Sequence, residues 1–400
     1  MGERKNAALP ADLIYAEILP RLAAKHVLRL RLVCKSWNSV FSTPAFADSH
    51  LTHQLHSNSE ENDRIIVRPC GFKEGVVDIL STDSIRVRKV PYACDTLCGS
   101  INGLVLMVSK PGKRFCLWNP AIGQVKLFDF PPLDGHYAGG FCWDHVQNDY
   151  KALLFCYDSM SSPARQICIY STNSATWTSL CIPQNLMLPG LHDSFWMLLG
   201  HSTIVEGTPY WSCSKSLTLP GEKHERKFFW TFKFVPEINE FRILPDLDSL
   251  KCCGDTFSIV NIKDRLVGMT YNSVTHGGTN MVDMYSLDNY EESSSGVWSK
   301  MYSIGPVYFC SNQRLLHAFR NGGEVLIRGN SGPFTFYDPK IKETKRIAGM
   351  TSTRTRTPTP LWELYGQCYS YMPSLVRVRG MESMQNFSTN GELKSQASPV

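Results

Sequence analysis

Cysteine and histidine have the widest chemical reach of the residues in this sequence, so their spacing is the first thing to weigh. The 400 residues include 14 cysteines and 11 histidines. A structural zinc site needs two ligand pairs at finger-like spacing. Cys94 and Cys98 stand four apart and Cys252 and Cys253 are adjacent, but neither pair has a matching second pair. These side chains read as thiols packing as small hydrophobes. His224-Glu225 sits in a charged stretch and reads as solvated. There is no Gly-x-Ser-x-Gly elbow, no phosphate-binding Gly-x-x-x-x-Gly-Lys loop and no His-Glu-x-x-His pair. Thr357 and Thr359 each precede a proline and lie near Arg354 and Arg356, so a phosphate there would meet positive charge. The other reading of that stretch is a plain connecting loop. No constellation for bond-making emerges, and no cofactor or metal is expected.

The elements that would position any site come next. Charged residues make up 19% and aromatics 11%, a balance that suits many half-buried strands. The net charge of +5, spread over 400 residues, forms no basic block, so nucleic acid is not an expected partner. No run of eighteen apolar residues occurs, so no membrane span is expected. The short polar start lacks the order of a signal peptide. The expected location is therefore the cytoplasm or nucleus, where cysteines stay reduced.

Residues 9–51 differ from the rest. Apolar residues at Leu9, Leu13, Ile14, Ile18, Leu19 and Leu22 follow helical spacing. Pro10 suits a first helical turn. A second apolar group is Val27, Leu28, Leu30, Leu32 and Val33, and a third is Trp37, Val40 and Phe41 before Pro44. Two or three short helices bury little surface and should lean on a partner or a neighbouring domain.

This segment resembles an F-box. It carries Leu9-Pro10, Leu13, Glu17-Ile18-Leu19, Arg21-Leu22, Arg29, Arg31, Val33-Cys34-Lys35 and Trp37, then Pro44, Phe46, His50 and Leu51. One departure is Ala23 where the family has proline, with Pro20 inside the helical run, which should kink or end that helix near Leu19. The resemblance implies docking on an Skp-family adaptor, and through it on a cullin scaffold. Such contacts lay apolar anchors into a groove. The expected anchors are Leu9, Pro10, Leu13, Ile14, Ile18, Leu19, Val33 and Trp37, any of which could instead be core.

Beyond residue 63 the pattern alternates, with short apolar runs broken by Asn, Gly, Pro, Asp and Ser. A hairpin unit recurs. Aligning Trp118, Tyr170, Lys233, Tyr285 and Tyr337 gives spacings of 52, 63, 52 and 52, and a shorter copy lies at Val76 to Val90. A period near fifty with several strands per unit marks propeller blades. The expectation is about six blades, with the segment Tyr369 to Val378 joining the first blade to close the ring. The repeated aromatics are expected to pack blade against blade.

This region resembles the F-box-associated domain of plant F-box proteins, a kelch-like propeller. The matching elements are Gly99-Ser100-Ile101-Asn102-Gly103-Leu104, Leu117-Trp118-Asn119-Pro120, Asp144 with Asp149-Tyr150-Lys151, Asn173 to Trp177, Tyr337-Asp338-Pro339 and Ser374-Leu375-Val376. The departures are a divergent loop from Lys215 to Lys227 and a Ser-rich insert from Glu291 to Gly296. Kelch-like propellers include copper oxidases, but an F-box at the front argues against that class.

The reading is a mainly β protein with a small α-helical N-terminal domain. It comprises a disordered N-terminus at 1–8, an F-box at 9–51, a linker at 52–62, the propeller at 63–378 and a disordered tail at 379–400. The resemblance implies the non-catalytic substrate-recognition subunit of an SCF-type ubiquitin ligase, binding an unknown target protein through the propeller. Its rivals are a propeller that senses a small ligand and a scaffold that sequesters partners without ubiquitination. Phe195 and Trp196, outside the repeated hairpins, are the candidate target anchors, the alternative being two core rings.

Overall fold

A computed structural model describes residues 13–57, 64–68, 75–81, 84–109, 112–158, 164–181, 197–198, 202–217, 226–244, 257–273, 280–288, 297–307, 315–318, 325–328, 334–338, 340–346 and 367–386. Leu9, Pro10, Phe195, Trp196, His224-Glu225, Cys252-Cys253, Thr357 and Thr359 lie outside them.

Among the described residues the β region forms six antiparallel sheets of four or five strands. Blade 1 combines Arg64–Arg68, Val76–Leu80 and Ile85–Lys89 with Gln367–Tyr371, which pairs with Arg64–Arg68. The other five blades are built of consecutive strands, to which blade 2 adds one late strand. They begin at Thr96, His136, Met197, Phe257 and Leu315. Successive blades touch all the way round, the inner strand of blade 3 against Thr208–Leu217 of blade 4 and blade 6 against the closing strand Gln367–Tyr371. The expectation of about six blades with a C-terminal closing strand holds. The closing strand is shorter than the Tyr369 to Val378 segment expected, because the chain leaves the sheet at Met372.

The aligned aromatic positions fall on the third strand of blades 2 to 6: Arg114–Asn119, Ala164–Ser171, Arg226–Val235, Asn280–Asp288 and Phe334–Asp338. One cluster of buried side chains lies between each pair of neighbouring blades. Blade 1 meets blade 6, for example, through Ile65, Val67 and Leu80 against Leu326 and Phe336. Between blades 2 and 3, Phe128 stacks on Tyr170 with centroids 4.1 Å apart. Strands covered on both faces read as unbroken apolar runs. Leu104–Ser109 is buried at every position, whereas the outer strand Thr176–Leu180 is largely exposed.

Tight turns join the first two strands of blades 2, 4 and 5. Each has two residues of positive φ: Asn102-Gly103, Glu206-Gly207 and Lys263-Asp264. That is the turn whose twist matches the strands it joins.

Two boundaries move. The last F-box helix continues to Leu55, past the expected end at residue 51, because Leu51 and Leu55 pack on the propeller. At the other end, Glu382–Ser383 adds a fifth strand to blade 2 along Gln124 and Val125, and Trp118 Nε1 donates to Met384 Sδ at 3.2 Å. The stretch expected to be disordered from residue 379 is therefore ordered through Asn386.

Candidate functional site

The F-box is built from short pieces. A π-helical turn, Ile14–Ile18, passes directly into a 3₁₀ turn, Leu19–Arg21, and the chain is extended at Leu22. Pro20 sits at the start of the 3₁₀ turn, so the helix ends where the misplaced proline predicts. Three helices follow: α1 Ala24–Leu30, α2 Lys35–Val40 and α3 Pro44–Leu55. The Trp37 amide donates to Cys34 Sγ at 3.4 Å, and the Phe46 amide to Thr43 Oγ1 at 3.3 Å, which caps α2 and α3.

An early helix end leaves carbonyls without partners. Helix α3 supplies them from a buried stripe. His50 Nε2 lies 2.9 Å from the Leu22 carbonyl, which can only accept, so Nε2 carries the proton. Gln54 Nε2 donates to the carbonyls of Pro20 at 3.0 Å and Leu22 at 3.2 Å. His50 Nδ1 is buried without a partner. Burial lowers the His50 pKa below its ordinary value, helped by nearby His53 and opposed by the Leu22 hydrogen bond.

The structure divides the expected anchors. Leu13 is 48% exposed, Ile18 43% and Val33 65%. Ile14 and Trp37 are partly buried and pack against the F-box core. Leu19 is a correction: at 3% exposure it belongs to the core with Val27, Phe41 and Phe46, and cannot meet a partner. Helical spacing marks both apolar sides of a short helix and does not say which one faces inward. Leu32, 87% exposed between α1 and α2, was missed because its neighbours Leu30 and Val33 drew the whole run into one apolar group.

The opposite side of the F-box is sealed to the propeller. Neighbouring strands in every blade are antiparallel, so turns between first and second strands open on the same face as turns between third and fourth strands. The F-box sits on that face. Ile122, in the turn of blade 2, packs into the F-box core. Asn148 and Asn173, in two turns of blade 3, line a cleft with Arg31 and Ser42. Leu375 inserts into the F-box core, and its neighbour Val376 enters the cluster between blades 2 and 3.

Two turn motifs hold that segment. Asn119 Nδ2 donates to the Val376 carbonyl at 2.9 Å and to the Ser374 carbonyl at 3.2 Å, while its Oδ1 accepts from the Ala121 amide at 3.0 Å. Ser374 Oγ donates to the Asn102 carbonyl at 2.5 Å. A Cβ on Gly103 would collide with Ser374 Oγ and the Met372 carbonyl, and its φ of +80° also favours glycine. These asparagines do more than shape turns, the only role their Asn-Gly and Asn-Pro spacing suggests.

The same face carries a buried ion pair. Lys151 Nζ donates to Asp144 Oδ2 at 2.9 Å, to the Pro236 carbonyl at 2.7 Å and to Asn239 Oδ1 at 3.1 Å, tying blade 3 to blade 4. Burial raises the Asp144 pKa, but the amides of Gln147 and Val146 and the Lys151 ammonium outweigh it and hold the carboxyl below its usual value. Asp149 Oδ1 accepts from Thr172 Oγ1 and the Asn173 amide, both at 3.0 Å. Asn102 Nδ2 donates to the Tyr150 hydroxyl at 3.0 Å, joining blade 2 to blade 3. Tyr150 and Lys151 thus staple blade 3 to its neighbours, while Asp144 holds the Lys151 ammonium and Asp149 ties two turns of blade 3 together. Among the described residues no three His, Cys, Asp or Glu side chains are grouped to hold a metal ion.

A helical unit seated on the turn face of a six-bladed propeller defines a class, an F-box joined to a recognition propeller. The comparisons agree. Residues 9–48 match the F-box domain, and residues 79–378 match the F-box associated beta propeller domain. The chain belongs to the family of proteins with that F-box-associated β-propeller domain. It is 22% identical over 320 residues to a chain of Arabidopsis thaliana named as an F-box protein, covering 74% of each. It is 25% identical over 329 residues to F-box/WD-40 repeat-containing protein 1 of the same plant, covering 76% of this chain and 70% of that one. Among solved structures, virginiamycin B lyase from Staphylococcus aureus overlays 74% of this chain and 87% of its own at a TM-score of 0.37 and 10% identity. F-box and propeller together indicate an F-box protein of the substrate-adaptor type.

Proposed function

We propose that this chain is the substrate-recognition subunit of an SCF-type ubiquitin ligase. The observation that carries this reading is the two-sidedness of the F-box. One side is buried on the propeller through Leu375 and Ile122, while Leu13, Ile18 and Val33 stand exposed on the other elements. Exposed large apolar groups on a small helical unit suit a helix-in-groove contact with an Skp-family adaptor, which joins a cullin scaffold. Trp37, half-buried, lends an edge to that surface.

The target protein binds the face opposite the F-box. The strand ends on that face bracket the long connections, including the one between Leu180 and Met197 that contains Phe195 and Trp196. The chain breaks no bond itself. It raises the local concentration of target lysines near the ubiquitin carrier. It acts in the cytoplasm or nucleus and needs no cofactor for this role.

The test is reconstitution of the full chain with an Skp-family adaptor and a cullin. A stable ternary complex that eluted as one species would support the proposal. A chain that eluted alone at micromolar concentration would overturn it. Ubiquitin transfer to a captured target then separates a ligase subunit from a sequestering scaffold.

A further inference from the structure

The junction between α2 and α3 sets an accessible hydroxyl beside positive charge that nothing neutralises. Ser42, Thr43, Pro44 and Ala45 are exposed in a row. Thr43 has the extended backbone that a following proline imposes, with φ −77° and ψ 145°. Among the described residues one other threonine stands directly before a proline. That residue, Thr208, is half-buried at the start of a strand of blade 4, beside the buried Pro209.

Helix capping accounts for a threonine at position 43, but not for the charge around it. Ser42, Thr43 and Pro44 line the cleft between the F-box and the propeller, which encloses about 190 Å³. Arg31, Arg377 and Arg379 line it as well, against a single carboxylate, Asp48. Arg31 is held in place one residue from Thr43: its Nε donates to Asn38 Oδ1 at 3.0 Å and its Nη2 to Ser42 Oγ at 2.5 Å. Burial and the charge of Arg377 lower the Arg31 pKa, so the two guanidinium groups stand close enough to repel. Among the described residues none of the three arginines has an ion-pair partner.

A phosphoryl group on Thr43 would bring about two negative charges and three acceptor oxygens to these cations. Guanidinium forks match such oxygens in pairs. The modification costs little locally. Thr43 Oγ1 donates to the Val40 carbonyl at 2.7 Å and accepts from the Phe46 amide at 3.3 Å. When the hydroxyl proton is lost, the Val40 carbonyl keeps the Thr43 amide at 3.1 Å. A phosphoryl oxygen can accept from the Phe46 amide in place of the hydroxyl.

We propose that Thr43 is a phosphorylation site for a proline-directed protein kinase, and that Arg31 and Arg377 receive the phosphate and lock the F-box to the C-terminal segment that seats it. The γ-phosphoryl group of ATP passes to Thr43 Oγ1. The bond from the γ-phosphorus to its bridging oxygen breaks, ADP leaves, and the hydroxyl proton passes to the base of the kinase.

The experiment compares the full chain with and without phosphothreonine encoded at position 43. The modified chain melts about 1–3 °C higher, and hydrogen exchange of the amides from Phe41 to Ala47 slows at least threefold. Arg377→Gln removes at least half of both gains. Each gain is taken as modified against unmodified within the same variant, so a change in the variant's own Tm does not enter. No gain on modification, or a gain that Arg377→Gln leaves intact, overturns the phosphate site. The unmodified chain is also incubated with a proline-directed kinase and ATP and mapped by peptide mass spectrometry. Phosphate on Thr43 is expected, and a map without it overturns the modification.

Discussion

The two sides of the F-box use the same residue types to opposite ends. On the inner side, Leu19, Val27, Phe41 and Phe46 close around Leu375, a residue that enters from more than three hundred positions away. On the outer side, Leu13, Ile18, Leu32 and Val33 are also large and apolar, and they stand exposed. The inner side needs no partner beyond the propeller. The outer side has surface to bury, and among the described residues nothing covers it. Substitutions on the inner side should therefore cost stability, and those on the outer side should cost binding.

The largest losses of stability are expected where blades are stapled to one another and where the F-box core closes on the C-terminal segment. Lys151→Met leaves the Asp144 carboxylate buried beside an apolar chain and should destabilise by about 3–5 kcal/mol, measured by chemical denaturation. Phe41→Ala empties a fully packed site between α2, α3 and Leu375 and should cost about 3–5 kcal/mol. Asn119→Ala leaves the carbonyls of Ser374 and Val376 unpaired and should cost about 2–3 kcal/mol. If it were neutral, the C-terminal segment would not be what seats the F-box.

A smaller effect follows from His50. Its folded pKa lies below the ordinary 6.5, so the unfolded chain takes up the proton more readily. Stability is complete above pH 6.5 and falls as the pH drops through the lower folded value. His50→Gln keeps a donor for the Leu22 carbonyl and should flatten the decline in Tm between pH 7.5 and 5.5. A steeper decline in the variant would contradict the assigned role. Asp144, held below 3.8, contributes stability that persists until the pH falls through still lower values.

The smallest effect is expected at Pro20. Its carbonyl stays bonded to Gln54 whatever the side chain, and the gain of a helical donor in Pro20→Ala is set against a buried ring. The stability should change by less than about 1 kcal/mol. A large loss would show that the ring itself is needed to stop the helix.

How much of this the sequence discloses depends on whether a feature repeats. The blades were legible because each solves the same packing problem, so Trp118, Tyr170 and Tyr337 recur at one strand position. The first blade was harder to read, since its inner strand is supplied from Gln367–Tyr371. Glu382–Ser383 was invisible because a two-residue strand has no alternation to detect. Leu19 was misplaced and Leu32 missed for a related reason. Periodicity finds apolar residues in short helices, but the inward side is fixed only by Leu375 and Ile122, far off in the chain. Ser374-Leu375-Val376 could be noticed as a motif, yet only the fold shows that it joins the two domains.

The most direct test sets the two sides against each other in one assay. The double variant Leu13→Asp, Ile18→Asp should keep the wild-type Tm within about 1 °C and lose at least a hundredfold in affinity for an Skp-family adaptor, about 2.7 kcal/mol or more. Leu19→Asp should instead lower the Tm sharply, since it buries a carboxylate in the F-box core. A folded Leu13→Asp, Ile18→Asp protein that binds the adaptor as tightly as the wild type would contradict the account.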